Sequence, residues 1–155
     1  MNLRPLTVAD REAHIALREV LWDDGRDEHA AQLDELMPSP RFVAIGAWIN
    51  AELVGFAEAS LRDQVDGIDS SPAGYLEGIY VAPGHRRAGV AHALLAALMD
   101  WARGLGASEF GSDAELENSD SHAWHEAAGF EPIETVVRFG RRISTGPSTA
   151  AQRAA

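Results

Sequence analysis

The chain has 155 residues, 46% hydrophobic and 24% charged, which fits one soluble domain large enough for a real core. It has no cysteine, which excludes disulfides, zinc–thiolate sites and a cysteine nucleophile. With 24 acidic against 13 basic residues the net charge is −11, a field that repels nucleic acid and anionic membrane and attracts cations. No apolar run approaches the roughly 20 residues that span a bilayer, and Met1-Asn2-Leu3-Arg4-Pro5 lacks a signal-peptide core, so the expected compartment is the cytoplasm.

In chain order, Leu3 to Leu6 reads as a short strand. Thr7 and Asp10 resemble a capping box, and a helix follows to about Leu21 before Trp22-Asp23-Asp24-Gly25 breaks it. A second helix is predicted over Asp27 to Met37, ended by Pro38 and Pro40. Arg41 to Ile49 and Leu53 to Leu61 read as a hairpin about Asn50-Ala51-Glu52. Arg62 to Gly74 is a loop carrying Asp63, Asp66 and Asp69, and Tyr75 to Val81 is the central strand. Val90, Leu94, Leu95, Leu98, Trp101, Ala102 and Leu105 recur at helical spacing, and Gly104 and Gly106 end that helix. Ala107 to Ser112 reads as a strand, Asn118 or Ser119 starts a helix closed by Gly129, and Thr135 to Phe139 reads as a last strand. The domain is expected over residues 1–143, with residues 144–155 a disordered tail.

The chemistry concentrates where the central strand meets the long helix. Gly84-His85-Arg86-Arg87-Ala88-Gly89-Val90-Ala91 puts a basic, glycine-containing turn at a helix N-terminus, where unpaired N–H groups and the helix dipole favour an anion. A phosphate-bearing cofactor is the expected ligand. Neither the Gly-Lys-Ser/Thr of nucleotide hydrolases nor the three-glycine dinucleotide pattern is present. Glu77 lies in an apolar strand, where a carboxylate is costly without a partner or a task. Asp113, Glu115 and Glu117 form a further acidic cluster after the next strand. His122 and His125 are three apart but lack a third clustered ligand, so no metal is expected. Trp48, Trp101 and Trp124 read as packing residues.

Arg86-x-x-Gly89-x-Ala91, after the strand and before the helix, resembles the acetyl-CoA signature of the GCN5-related N-acetyltransferases, and Gly129-Phe130 is similar to that superfamily's closing pair. Leu21-Trp22, the run from Asp66 to Val81, Ser112 to Asn118 and His125 to Glu131 narrow the resemblance to the aminoglycoside 6′-N-acetyltransferases, over most of residues 2–142. The resemblance implies an α/β fold: a mixed, mostly antiparallel central sheet flanked by helices, with a splayed cofactor cleft. It implies acetyl-CoA as cosubstrate, held by Arg86, Arg87, Ala88, Gly89, Val90 and Ala91, by strand edges near Ile79 and Val81, and by a contact at Asn118. It implies Asp113 as general base at the 6′-amine, with Trp22, Glu77 and Glu134 at substrate-pocket positions. Asp69, in the acidic loop, joins these as a substrate-binding candidate. His125 stands where many superfamily members carry the tyrosine that protonates the thiolate, so the acid is His125 or water. An aromatic residue expected near Gln64 is missing. A homodimer is expected from the same resemblance. Attack is expected to be direct, in a ternary complex, since no cysteine can carry an acetyl group. Acetylation of another polyamine, and a non-catalytic acyl-CoA sensor, are the alternatives; only a catalyst needs Asp113 and Glu77 together.

Overall fold

The computed structural model of the chain describes residues 1–144 and 146. The elements are β1 (Asn2–Pro5), a 3-10 turn (Val8–Asp10), α1 (Arg11–Leu21), α2 (Arg26–Leu36), β2 (Phe42–Ile49), β3 (Glu52–Arg62), β4 (Ala73–Val81), a second 3-10 turn (Pro83–His85), α3 (Val90–Gly104), β5 (Phe110–Gly111) and α4 (Ser119–Ala127). The strands form one sheet in chain order. β1 to β4 run antiparallel to their neighbours, and β5 joins β4 in parallel.

Period-two alternation gives the sheet two faces, and each is covered. Ile45, Ala47, Val54, Ala57, Ala59, Leu76 and Val81 face α3, whose Val90, Leu94 and Leu98 fill the facing stripe. Trp101 and Trp124 pack on this side, as the sequence suggests. Leu6, Phe42, Ala44, Leu53 and Phe56 face α1 and α2 and meet Leu17, Leu21, Trp22 and Leu36. This second face is not wholly apolar. Glu58 of β3, 2% exposed, accepts from Arg18 Nη1 on its two oxygens at 2.6 and 2.7 Å and from His14 Nε2 at 2.7 Å. Arg18 also donates to His29 Nδ1 and Gln32 and lies over the Trp22 ring.

Local chemistry accounts for the boundaries. Asp10 accepts from the Thr7 backbone and hydroxyl and from both Arg4 guanidinium nitrogens. Those bonds, Arg4 foremost, hold its carboxyl well below the usual carboxylate range. The β2–β3 turn puts Asn50 and Ala51 at φ 49° and 65°, the mirror-image turn that matches hairpin twist. Gly129 ends α4 at φ 90°.

Two sequence expectations are corrected. The strand expected over Ala107 to Ser112 is only Phe110–Gly111, because β5 pairs β4 at Gly74 and Tyr75 and then diverges. The last strand expected over Thr135 to Phe139 does not form: residues 130–144 carry no regular structure. Its apolar residues are suited to a strand, but among the described residues its backbone makes no ladder with any strand of the sheet. Ile133, Val136, Val137, Phe139 and Ile143 are left 55–94% exposed. The expectation of a disordered tail falls, apart from residues 144 and 146, outside the described residues.

Candidate active site

The site begins as a gap in the sheet. Beyond Tyr75, β4 keeps β3 on one side and has no strand on the other. Backbone groups of alternate residues point to the same edge. The Ala82 N–H turns to Val54 on β3, whereas the Val81 carbonyl accepts from Arg86 Nε at 2.8 Å, so Val81 and Ile79 address the open edge. That is where the sequence placed a cofactor arm. The Val81 carbonyl, however, is already engaged by Arg86, which also leans over the Tyr80 ring.

The edge leads to the N-terminus of α3. Arg87 at φ 60° and Gly89 at φ 80° turn successive N–H groups inward, a left-handed conformation that a non-glycine residue such as Arg87 adopts at a cost. No side chain caps α3, whereas Asn118 Oδ1 caps α4 by accepting from Ser121 N–H. A Cβ built on Gly84 or Gly89 would meet nothing within 4 Å, so a bulky anion has room. The free helix N-terminus, Arg87 and the open edge therefore fit a pyrophosphate with an extended, hydrogen-bonding arm. Asn118, expected as a cofactor contact, stands at the head of α4 and spends its carboxamide oxygen on that cap.

On the α1/α2 face the β3–β4 register carries a bulge. Glu58 pairs with Gly78 and Ala59 with Leu76, so Glu77 is the extra residue. A bulge re-aims a side chain. Glu77 turns to Ser60, whose hydroxyl it accepts, and to Arg62 Nη2, at 3.0 Å from each carboxylate oxygen. Arg62 lies on the Tyr75 ring, 3.5 Å from its centroid. Burial first, then the charge of Asp113, push the Tyr75 phenol above its ordinary value, against the pull of Arg62. Asp113 has no ion pair among the described residues and is exposed. Trp22 closes the floor: a Cβ on Gly78 would fall 2.3 Å from its ring.

The charges of Glu77 and Asp113 thus both bear on Tyr75 of β4, and Trp22 lies against Gly78 of the same strand. Ser60, Arg62 and Tyr75 were not singled out from the sequence. Glu58, Ser60 and Arg62 are polar at every second position of an otherwise apolar strand, and that was the available signal.

Two peripheral features border this centre. The loop 63–71 lines a cavity of about 730 Å³ bearing Asp63, Asp66 and Asp69, of which Asp63 pairs with Arg41. Glu109 fixes this loop by accepting from the Asp69 and Ser70 N–H groups. Ile133 lies against Gly67, which brings Glu134 next to the same loop. His125 Nδ1 donates to the Ser121 carbonyl at 2.7 Å, so its Nε2 accepts from the Ser112 hydroxyl at 2.8 Å. It anchors α4 beside Asp113. His122 likewise reaches the Glu115 carbonyl, and no group of three metal-ligating side chains occurs among the described residues. No helix of the described residues is long and apolar enough to cross a membrane.

Known proteins share this arrangement. The acetyltransferase (GNAT) family matches residues 10–130. An aminoglycoside N(6′)-acetyltransferase type 1 of Acinetobacter haemolyticus is 38% identical over 92% of this chain and 99% of its own. The protein of the same name from Stenotrophomonas maltophilia is 43% identical, over 95% of each chain. Among solved structures, the apo aminoglycoside 6′-N-acetyltransferase AAC(6′)-IG of A. haemolyticus superposes with a TM-score of 0.90 at 38% identity, covering 93% of this chain and 100% of its own. AAC(6′)-Iy in complex with the bisubstrate analogue CoA-S-monomethyl-acetylneamine gives 0.87 at 36% identity, covering 92% and 98%. With the open β4 edge, the uncapped α3 and the family match all in register, this chain belongs to the acetyltransferase (GNAT) family.

Proposed function

We propose that the protein acetylates the 6′-amine of aminoglycosides, using acetyl-CoA, by direct attack within a ternary complex. The observation that carries this reading is that the charges of Glu77 and Asp113 both bear on the Tyr75 phenol, at the point where β4 and β5 part. A polycationic acceptor would find carboxylates there and in the acidic loop, Asp69 among them, with Glu134 beside it and Trp22 as floor. The relatives' names, and a neighbour that holds a bisubstrate analogue, support the same acceptor class.

The thioester supplies the acyl group and a thiolate leaving group. The residues of the chain do the rest. Val90 N–H and its neighbours at the head of α3, with Arg86, Arg87, Ala88, Gly89 and Ala91, receive the pyrophosphate, and the Ile79 edge orients the arm. Glu77, which Arg62 holds in the absence of acceptor, binds and orients the ammonium. Asp113, which has no ion pair among the described residues, accepts its proton so that a neutral amine attacks. His125 gives its one proton to Ser121, so it would need a second on Nε2 to act as the acid. Water is the simpler proton source for the thiolate.

We propose further that residues 1–143 form the acetyltransferase domain, that it works in the cytoplasm, and that it is a homodimer. The exposed Ile133, Val136, Val137 and Phe139, beside a sheet that ends in a two-residue strand, are the support for a second copy.

Thiol release from acetyl-CoA tests the acceptor. Turnover with kanamycin and none with a 6′-hydroxyl analogue is expected. Turnover only with spermidine or a lysine peptide would move the activity to another amine. Silence with every amine, while acetyl-CoA still binds, would leave a sensor.

A further inference from the structure

The acceptor pocket already contains a cation, and it belongs to the protein. The Arg62 guanidinium sits on the face of Tyr75, 3.5 Å from the ring centroid, and on both oxygens of Glu77 at 3.0 Å. An aromatic face backed by a carboxylate is a recognition element for a cation. Here the aromatic ring is 7% exposed and fixed, whereas Arg62 is 42% exposed and reaches in from the end of β3. No other charged partner holds Arg62 among the described residues.

We propose that Arg62 is an internal competitor for the acceptor's ammonium group: it leaves Glu77 and Tyr75 when the substrate arrives, and so selects for acceptors carrying several charges. This rests on the reading of Glu77 and Asp113 as the acceptor site. A monoamine gains little over the guanidinium it displaces. A polycation displaces it and gains Asp66 and Asp69 of the acidic loop as well, neither of which has an ion pair among the described residues. Arg62 is thus a specificity determinant that acts by occupying the site, not by binding the substrate.

The test is Arg62→Gln. As a surface exchange it should leave Tm within about 2 °C, because an exposed ion pair adds little to stability. The KM for kanamycin should fall about three- to tenfold, the range expected for removal of one exposed cation–π and ion-pair competitor. Its kcat and the KM for acetyl-CoA should stay within about twofold, and kcat/KM for a simple alkyl monoamine should rise more than that for kanamycin. Arg62→Lys should fall between the two, since it keeps the charge and loses the planar fork. A KM for kanamycin that rises, or stays within about twofold, overturns the proposal: Arg62 would then bind the acceptor or only brace Glu77. Glu77→Gln and Asp113→Asn separate the two levels. If both retain wild-type kinetics, the acceptor-site reading itself fails. If both lose turnover while Arg62→Gln raises KM, only the role of Arg62 fails.

Discussion

In the proposed mechanism, neighbours divide one chemistry between two like residues, Asp113 and Glu77. Glu77 is held by Arg62 and Ser60, so its charge is partly neutralised and its geometry fixed. Asp113 has no ion pair among the described residues and is the proposed proton acceptor. Sequence position alone could mark both, because a carboxylate in an apolar strand and one after a strand end are each conspicuous. It could not rank them, because Arg62 and Tyr75 enter only through the hairpin register. The same lesson holds for Ala51, which the turn forces to φ 65°. Ala51→Gly should raise stability by about 1 kcal/mol, read as a higher urea midpoint at unchanged m-value.

At the scale of elements, the active cleft exists because two strands fail to pair. The sequence places a strand within Ala107 to Ser112 but shows neither that only Phe110–Gly111 pairs nor that β5 then parts from β4, since divergence leaves no periodic mark. The bulge at Glu77 is equally silent: one unpaired residue looks like any other in an alternating run. Conversely, Thr135 to Phe139 has every local property of a strand yet pairs with no strand among the described residues, which local properties cannot reveal. The buried group on the other face is a structural commitment of α1, α2 and β3. Glu58→Ala, which strands the buried Arg18, should cost about 3–5 kcal/mol by denaturant titration. The Asp10 carboxylate offers a pH-dependent counterpart. Its native pKa is depressed, so its contribution is full above the unfolded value of about 4 and is lost as pH falls towards the native one. The stability difference between wild type and Asp10→Asn should therefore be constant above about pH 5 and shrink below about pH 4.

For the molecule as a whole, the charge of −11 and an anionic cosubstrate need to be reconciled. The structure separates them: Arg86 and Arg87 stand at the head of α3, and the acidic loop stands at the far end of β4. Cations are drawn in broadly while the pyrophosphate is met locally. The uncovered apolar residues after Phe130 carry the expectation of a dimer. Val137→Asp combined with Phe139→Asp should convert the particle to monomer mass in sedimentation, with the helical and strand signal of residues 1–130 retained. A dimer that survives both changes would place the interface elsewhere.

The most direct test of the central account is Asp113→Asn, with kcat measured on kanamycin and acetyl-CoA affinity measured by calorimetry. Loss of the base should lower kcat by about 10²–10⁴-fold while the affinity for acetyl-CoA stays within about twofold. A variant that turns over within about threefold of wild type would contradict a general base at the parting of β4 and β5.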